Sequence, residues 1–84
     1  MHIVYVLKSL SDNDLYIGCT SNFDKRLDYH NAGKVDSTKN RRPFILVYKE
    51  EYDSIYEAFR AEKFYKTATG KRKLKDKLAL SSKG

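Results

Sequence analysis

Two short runs, Ile3-Val4-Tyr5-Val6-Leu7-Lys8 and Leu15-Tyr16-Ile17-Gly18-Cys19, decide how this sequence folds. Both are rich in β-branched and aromatic residues and are apolar at consecutive positions, the pattern of strands covered on both faces. Between them, Ser9-Leu10-Ser11-Asp12-Asn13-Asp14 is a cluster of turn formers, so the runs are expected to pair as an antiparallel hairpin. An even number of intervening residues places Tyr5 and Tyr16 on the same sheet face. Gly18 interrupts the second run, and a strand glycine often marks a bulge or a close approach.

Beyond the hairpin, Thr20-Ser21-Asn22-Phe23-Asp24 reads as a helix entry, with Thr20 or Ser21 as cap and Asp24 in the first turn. This helix is expected to run to about Ala32 and stop at Gly33. Residues 34–42 are polar and basic and read as an exposed loop. Pro43 then introduces a third strand, Phe44-Ile45-Leu46-Val47-Tyr48. Ser54 and Glu57 have the spacing of a capping box, opening a second helix to about Ala68 with Gly70 beyond it. Leu74 and Leu78 lie one turn apart among lysines, which predicts a short basic helix over about 71–80 and a frayed tail from Ser81 to Gly84. The outline is ββαβαα, one layered α/β domain over 1–84 with its core over about 2–80.

Seventeen basic against eleven acidic residues give a formal charge of +6. That surplus favours a polyanionic partner, because neutralising phosphates releases condensed counterions. Lys34, Lys39, Arg41 and Arg42 cluster in mid-chain; Lys71, Arg72, Lys73, Lys75 and Lys77 cluster near the end. Each run is a candidate set of phosphate contacts, and the plain alternative is a solvated face. The apolar stretch Ile3–Leu7 is too short for a membrane span or a signal segment, so no membrane association is expected. A single cysteine, Cys19, excludes an internal disulfide and suits a reducing compartment, hence the cytoplasm.

Three polar positions resist a purely structural reading. On the second helix, Ile55, Ala58, Phe59 and Tyr65 fall on one stripe, and Glu62 falls inside it. A carboxylate facing a small core is costly unless it is paired or holds a cation; a tapering stripe or a nearby basic side chain is the structural alternative. On the first helix, Arg26 and His30 are four apart and project side by side. A guanidinium beside an imidazole suits phosphate recognition, although such pairs are also common on surface helices.

Together these residues resemble a known pattern. Ile3-Val4-Tyr5, followed after ten residues by Tyr16-Ile17-Gly18, is similar to the paired motif of the GIY-YIG nuclease superfamily. Arg26, His30 and Glu62 follow in matching order and spacing. The run His30-Asn31-Ala32-Gly33, with Arg42-Pro43 and Leu46-Val47-Tyr48, resembles its small stand-alone bacterial branch, related to the N-terminal nuclease domain of the excision-repair nuclease. The resemblance covers about residues 2–80. The glycine of the first motif is replaced here, while its tyrosine is kept.

This resemblance implies a three-stranded antiparallel sheet flanked by three helices, and an endonuclease hydrolysing nucleic-acid phosphodiesters, DNA in the first instance. It implies that Glu62 holds one Mg²⁺ or Mn²⁺, that Arg26 stabilises charge on the phosphate, and that Tyr5 accepts the water's proton. Tyr16 would orient water or phosphate, and His30 would bond or relay for Tyr5. Products would carry 5′-phosphate and 3′-hydroxyl ends, in DNA repair or recombination. Without an attached reading module, cutting is expected to be structure-directed or weakly selective, with a homodimer or partner protein as a further source of selectivity. Two rival readings are a nucleic-acid-binding module with little turnover and a thiol hydrolase built on Cys19 and His30.

Overall fold

The first strand, β1 (His2–Ser9), is the centre of the molecule. It pairs antiparallel with β2 (Leu15–Thr20) on one edge and with β3 (Phe44–Tyr52) on the other, giving the order β2-β1-β3. The computed structural model describes the backbone of residues 1–82 and side chains through residue 79. The helices are α1 (Phe23–Asn31), α2 (Ile55–Tyr65) and α3 (Ala68–Ser82), with a 3₁₀ turn at Lys39–Arg41. Three antiparallel strands and three helices in the order ββαβαα match the expected class.

Every position from Val4 to Leu7 is at most 1% exposed, which explains why β1 is apolar without alternation. Val4 and Val6 join Ile17, Ala58, Tyr65 and Leu74 in one core under α2 and α3. Tyr5 and Leu7 point the other way, with Phe44, into a second core that Tyr16, Phe23 and Leu27 complete under α1. Lys8 pairs with Leu15 across the six-residue turn, so Leu7 faces Tyr16 and Tyr5 faces Gly18. The even spacing therefore puts both tyrosines on the α1 face.

The helix ends differ in detail from the sequence expectation. Asn22, not Thr20 or Ser21, caps α1 by accepting from the Lys25 amide at 3.2 Å. Thr20 instead closes the preceding turn onto Asn22. Past the helix, Gly33 N–H reaches His30 O and Lys34 N–H reaches Tyr29 O, the paired bonds of a Schellman stop. Ser54 caps α2 through the Tyr56 amide rather than that of Glu57. Strand β3 continues four residues past Tyr48, because Tyr48, Glu50 and Tyr52 turn inward together.

Gly70 lies inside α3, not beyond α2 as a stop. A Cβ there would sit 1.8 Å from the Phe64 carbonyl oxygen, so only glycine lets α3 start against the end of α2. The expected tail from Ser81 begins as helix, and residues 83–84 lie outside the described residues. The α2 stripe is also corrected. Ala58 and Tyr65 are buried, whereas Ile55 and Phe59 are 39% and 46% exposed. The small Ala58 side chain faces the sheet and brings the helix close, leaving Ile55 and Phe59 on its flank.

An anchor that sequence patterning did not indicate joins β3 to both C-terminal helices. The Glu50 carboxylate accepts from the hydroxyls of Tyr48, Tyr52 and Tyr65 and from Lys77 Nζ. Four donors hold Glu50 down at about 2 against the cost of its burial, and the carboxylate in turn helps to push Tyr48 up to about 12.

Candidate active site

Tyr5 and Tyr16 leave neighbouring strands on one face, with ring centroids 6.4 Å apart. Opposite Tyr5 the partner strand carries Gly18, where a Cβ would fall 2.4 Å from the Tyr5 hydroxyl oxygen. The ring of Tyr5 thus lies over bare backbone, the close approach that the strand glycine signalled.

From above, α1 lowers His30 into the same space. The imidazole is fully buried, with its Nε2 3.1 Å from the Tyr5 hydroxyl and its ring 4.9 Å from that of Tyr16. On its other side, Nδ1 lies 2.8 Å from Oγ1 of Thr38, also fully buried. Thr38 donates its own proton to the Val35 carbonyl at 3.4 Å. Its oxygen is therefore the acceptor for Nδ1–H, and Nε2 is left as the acceptor for the Tyr5 proton. Burial, reinforced by the Arg26 cation, holds His30 below its ordinary 6.5, so the neutral ring is favoured.

Arg26, one turn before His30, comes down beside both tyrosines. Its Nε is buried without a hydrogen-bond partner among the described residues. Burial pushes the Tyr5 hydroxyl up; the guanidinium beside it opposes the shift, Tyr16 and Glu62 add to it, and the net direction is upward. A buried guanidinium nitrogen without an acceptor beside two phenols is the arrangement an oxyanion would complete.

Glu62 approaches from α2, on the far side of the sheet. Its carboxylate is mostly buried, forms an ion pair with the more exposed Lys66 at 2.9 Å, and lies close enough to raise both Tyr5 and Cys19. The basic residue that pairs with Glu62 is thus its helical neighbour. Among the described residues no cluster of three His, Cys, Asp or Glu side chains could hold a metal ion. Any cation here would rest on Glu62 and water, a donor set that suits a hard ion such as Mg²⁺.

These geometries are those of a recognisable group. Residues 1–75 match the GIY-YIG catalytic domain family. The chain belongs to the GIY-YIG family. It is 48% identical over 75 residues to a UPF0213 protein of Staphylococcus haemolyticus, an alignment covering 88% of this chain and 90% of that one. A UPF0213 protein of Staphylococcus aureus is 41% identical over the same length and coverage. The solution NMR structure of the UPF0213 protein BH0048 from Bacillus halodurans superposes with a TM-score of 0.57 at 35% identity, covering 89% of this chain and 82% of that one. Membership of the GIY-YIG family makes a nuclease acting on nucleic acid the expected class.

The basic residues of this GIY-YIG chain divide into tied and free. Arg41 holds Asp12 at 2.8 Å, reaches the Leu15 carbonyl and stacks on Phe44, while its own carbonyl accepts from Ser9 Oγ. It locks the 34–42 loop onto the hairpin turn, which corrects its assignment as a phosphate contact. Arg42 donates to the Lys39 carbonyl and lies against Gly33, and is likewise committed to the loop. Lys34 sits over the Tyr29 ring, Lys73 sits over Phe64, and Lys39 makes only a long contact to exposed Asp36. Lys71 and Arg72 are exposed on α3. The thiol hydrolase reading fails on geometry. Cys19 packs against the Val4 core, across the sheet from His30, and burial and Glu62 raise its thiol, which disfavours a thiolate.

Proposed function

We propose that the chain is an endonuclease that hydrolyses phosphodiesters with one divalent cation at Glu62. The observation that carries this reading is the convergence of Tyr5, Tyr16, His30 and the unpartnered Arg26 Nε on one face. Arg26 binds a non-bridging phosphate oxygen, whose charge grows as the phosphorane forms. Tyr16, the more exposed phenol, orients the attacking water against the phosphate. Tyr5 takes the water's proton while its own passes to His30 Nε2, which neutral imidazole is ready to accept. The hydroxide oxygen bonds to phosphorus, the bond to the 3′-oxygen breaks, and that oxygen takes a proton from solvent, leaving 5′-phosphate and 3′-hydroxyl ends. Thr38 keeps His30 in the tautomer this transfer needs.

Glu62 with water fits Mg²⁺ or Mn²⁺, held weakly in the absence of substrate because only one carboxylate contributes and Lys66 competes for it. When bound, the ion supplies Lewis-acid stabilisation of the phosphate and of the leaving oxygen. We take DNA as the substrate, cut by structure in repair or recombination in the cytoplasm, with Lys34, Lys39, Lys71, Arg72 and Lys73 as backbone contacts. A homodimer or partner protein would add selectivity.

The test is end-labelled branched, nicked, single-stranded and duplex DNA with Mg²⁺, Mn²⁺ or chelator. Glu62→Ala and Arg26→Ala variants with unchanged melting run alongside. Scission that needs metal and is lost in both variants is expected. Undiminished scission in Glu62→Ala would remove the metal assignment. Salt-sensitive binding without scission on any substrate would favour the binding module, a reading supported by the upward shift of the buried Tyr5 hydroxyl.

A further inference from the structure

The flank of α2 that carries Glu62 also carries two apolar side chains the fold does not bury. Ile55 and Phe59 are 39% and 46% exposed, and with Glu62 they follow the helix at 55, 59 and 62, one side of successive turns. They do not face open solvent alone. Across from them the end of β2 and the following turn supply Cys19, Thr20 and Ser21, and β1 supplies His2, which together enclose a cleft of about 300 Å³. Taking about 30 Å³ as the share of one water in the liquid, the cleft has room for roughly ten, enough for a planar bicyclic ring system and too little for a helix of a partner protein.

We infer that this cleft seats one unstacked nucleobase of the strand being cut, with Phe59 as the stacking platform, so that the substrate carries an unpaired nucleotide beside the scissile bond. The inference rests on the nuclease reading only in placing the scissile phosphate at Glu62.

The lining has the composition such a ring needs. Phe59 offers an aromatic face, Ile55 and the Cys19 thiol an apolar floor, and the Ser21 and Thr20 hydroxyls and His2 imidazole lie where the polar edge of a base would emerge. Stacking on an aromatic side chain tolerates every base, because each has a π-face, in keeping with a chain that has no sequence-reading module.

Position supports the same occupant. Phe59 precedes Glu62 by three residues, about 4.5 Å along the helix axis at 1.5 Å per residue. Successive nucleotides of a stacked strand advance by about 3.4 Å, so a phosphate at Glu62 leaves its neighbouring base level with Phe59. The charge of Glu62 is felt at Cys19, on the floor of the cleft. A base held in continuous duplex cannot enter unless it leaves the stack, which favours frayed, branched or single-stranded sites over intact helix. The net charge of +6 draws the polyanion to the face without specifying the base.

The experiment reads binding without metal, so that it does not depend on cleavage. A fluorescein-labelled oligothymidylate and a blunt duplex of equal length are titrated with wild type, Phe59→Ala and Phe59→Tyr. A single 2-aminopurine placed within the oligothymidylate reports stacking. Phe59→Ala is expected to weaken single-strand binding by about tenfold, the lower part of the range for one aromatic–base stack, to leave duplex binding unchanged, and to abolish the 2-aminopurine quench. Phe59→Tyr, which keeps the ring, is expected to restore both. Equal loss on the two substrates, no loss on either, or quenching that survives Phe59→Ala would overturn the inference. So would a wild-type dimer that Phe59→Ala dissociates in sedimentation, because the face would then belong to a second copy. Persistent quenching with no metal-dependent scission would leave the base subsite standing and remove the nuclease reading instead.

Discussion

Replacing Thr38 by valine tests the buried chain on which the proposed proton transfer depends. The two side chains have nearly the same shape, so the substitution removes a hydroxyl and little else. In the native fold Thr38 and His30 are both 0% exposed, and the Thr38 oxygen is 2.8 Å from Nδ1. Valine leaves the Nδ1–H donor dry and unpaired, which costs about 1–3 kcal/mol. For a domain of 60–100 residues each kcal/mol moves the midpoint by about 4–8 °C, so a fall of roughly 5–20 °C is expected. Melting followed by circular dichroism at pH 8, where the imidazole is neutral, measures it. Thr38→Ser keeps the hydroxyl and should recover most of the loss. ¹⁵N chemical shifts of the imidazole provide the mechanistic readout: wild type should show the Nδ1–H tautomer and Thr38→Val a mixture. Scission should slow by up to about 10²-fold, the lower end of what positioned proton transfer contributes. Melting of Thr38→Val within about 0.5 kcal/mol of wild type, the range of an indifferent surface change, together with an unchanged tautomer, would refute the reasoning.

Four further outcomes follow from particular contacts. Gly18→Ala drives a methyl to within 2.4 Å of the Tyr5 hydroxyl, and since Tyr5 is 1% exposed it cannot yield; an overpacking loss of about 1–3 kcal/mol is expected in urea unfolding. His30 has a folded-state pKa below its ordinary 6.5, so the unfolded chain takes up the proton first as pH falls; stability should be full above 6.5 and decline below it, and His30→Gln should flatten that slope in pH-dependent melting. Glu50, ordinarily at 4.5 and held at about 2, contributes stability that is present above 4.5 and lost as pH falls through 2; Glu50→Gln should cost about 1.5–3 kcal/mol at neutral pH and remove this acid dependence. Arg41→Ala should lower the melting temperature and leave DNA affinity unchanged, whereas Lys71→Ala and Arg72→Ala should each reduce the salt dependence of binding by about one unit of slope.

The hairpin was legible because composition and turn chemistry agreed. Unbroken apolar runs around a polar turn leave few alternatives, and their even spacing fixed the shared face of Tyr5 and Tyr16. Arg26 and His30 were legible as a pair from helical spacing alone. Glu62 was picked out for a reason that held only in part. It is mostly buried, but its stripe is a flank rather than a core, because the sheet accepted Ala58 and left Ile55 and Phe59 outside. Thr38 was illegible, since one threonine in a polar loop carries no periodicity, and its burial follows from where α1 lowers His30. Arg41 was misread for a related reason. Charge in sequence says that a guanidinium must find partners, not whether those partners are phosphates or the Asp12 carboxylate. The Glu50 anchor had a faint signal in Tyr48-x-Glu50-x-Tyr52, residues of one face alternating along a strand, but its closing donors, Tyr65 and Lys77, come from helices whose rotation no local pattern fixed.

Strand β1 sets a constraint on the order of events during translation. It is the first element to leave the ribosome, it is apolar on both sides, and both of its edges require partners. The second edge is satisfied only by β3, which ends at Tyr52 of an 84-residue chain, and its Val4–Val6 face only by α2 and α3. A nascent chain of fifty residues therefore carries an unpaired edge of its stickiest segment with no means of covering it. The hazard of aggregation falls in that interval of synthesis, and any chaperone or ribosome pause that assists this protein should act while residues 2–9 still await the last third of the chain.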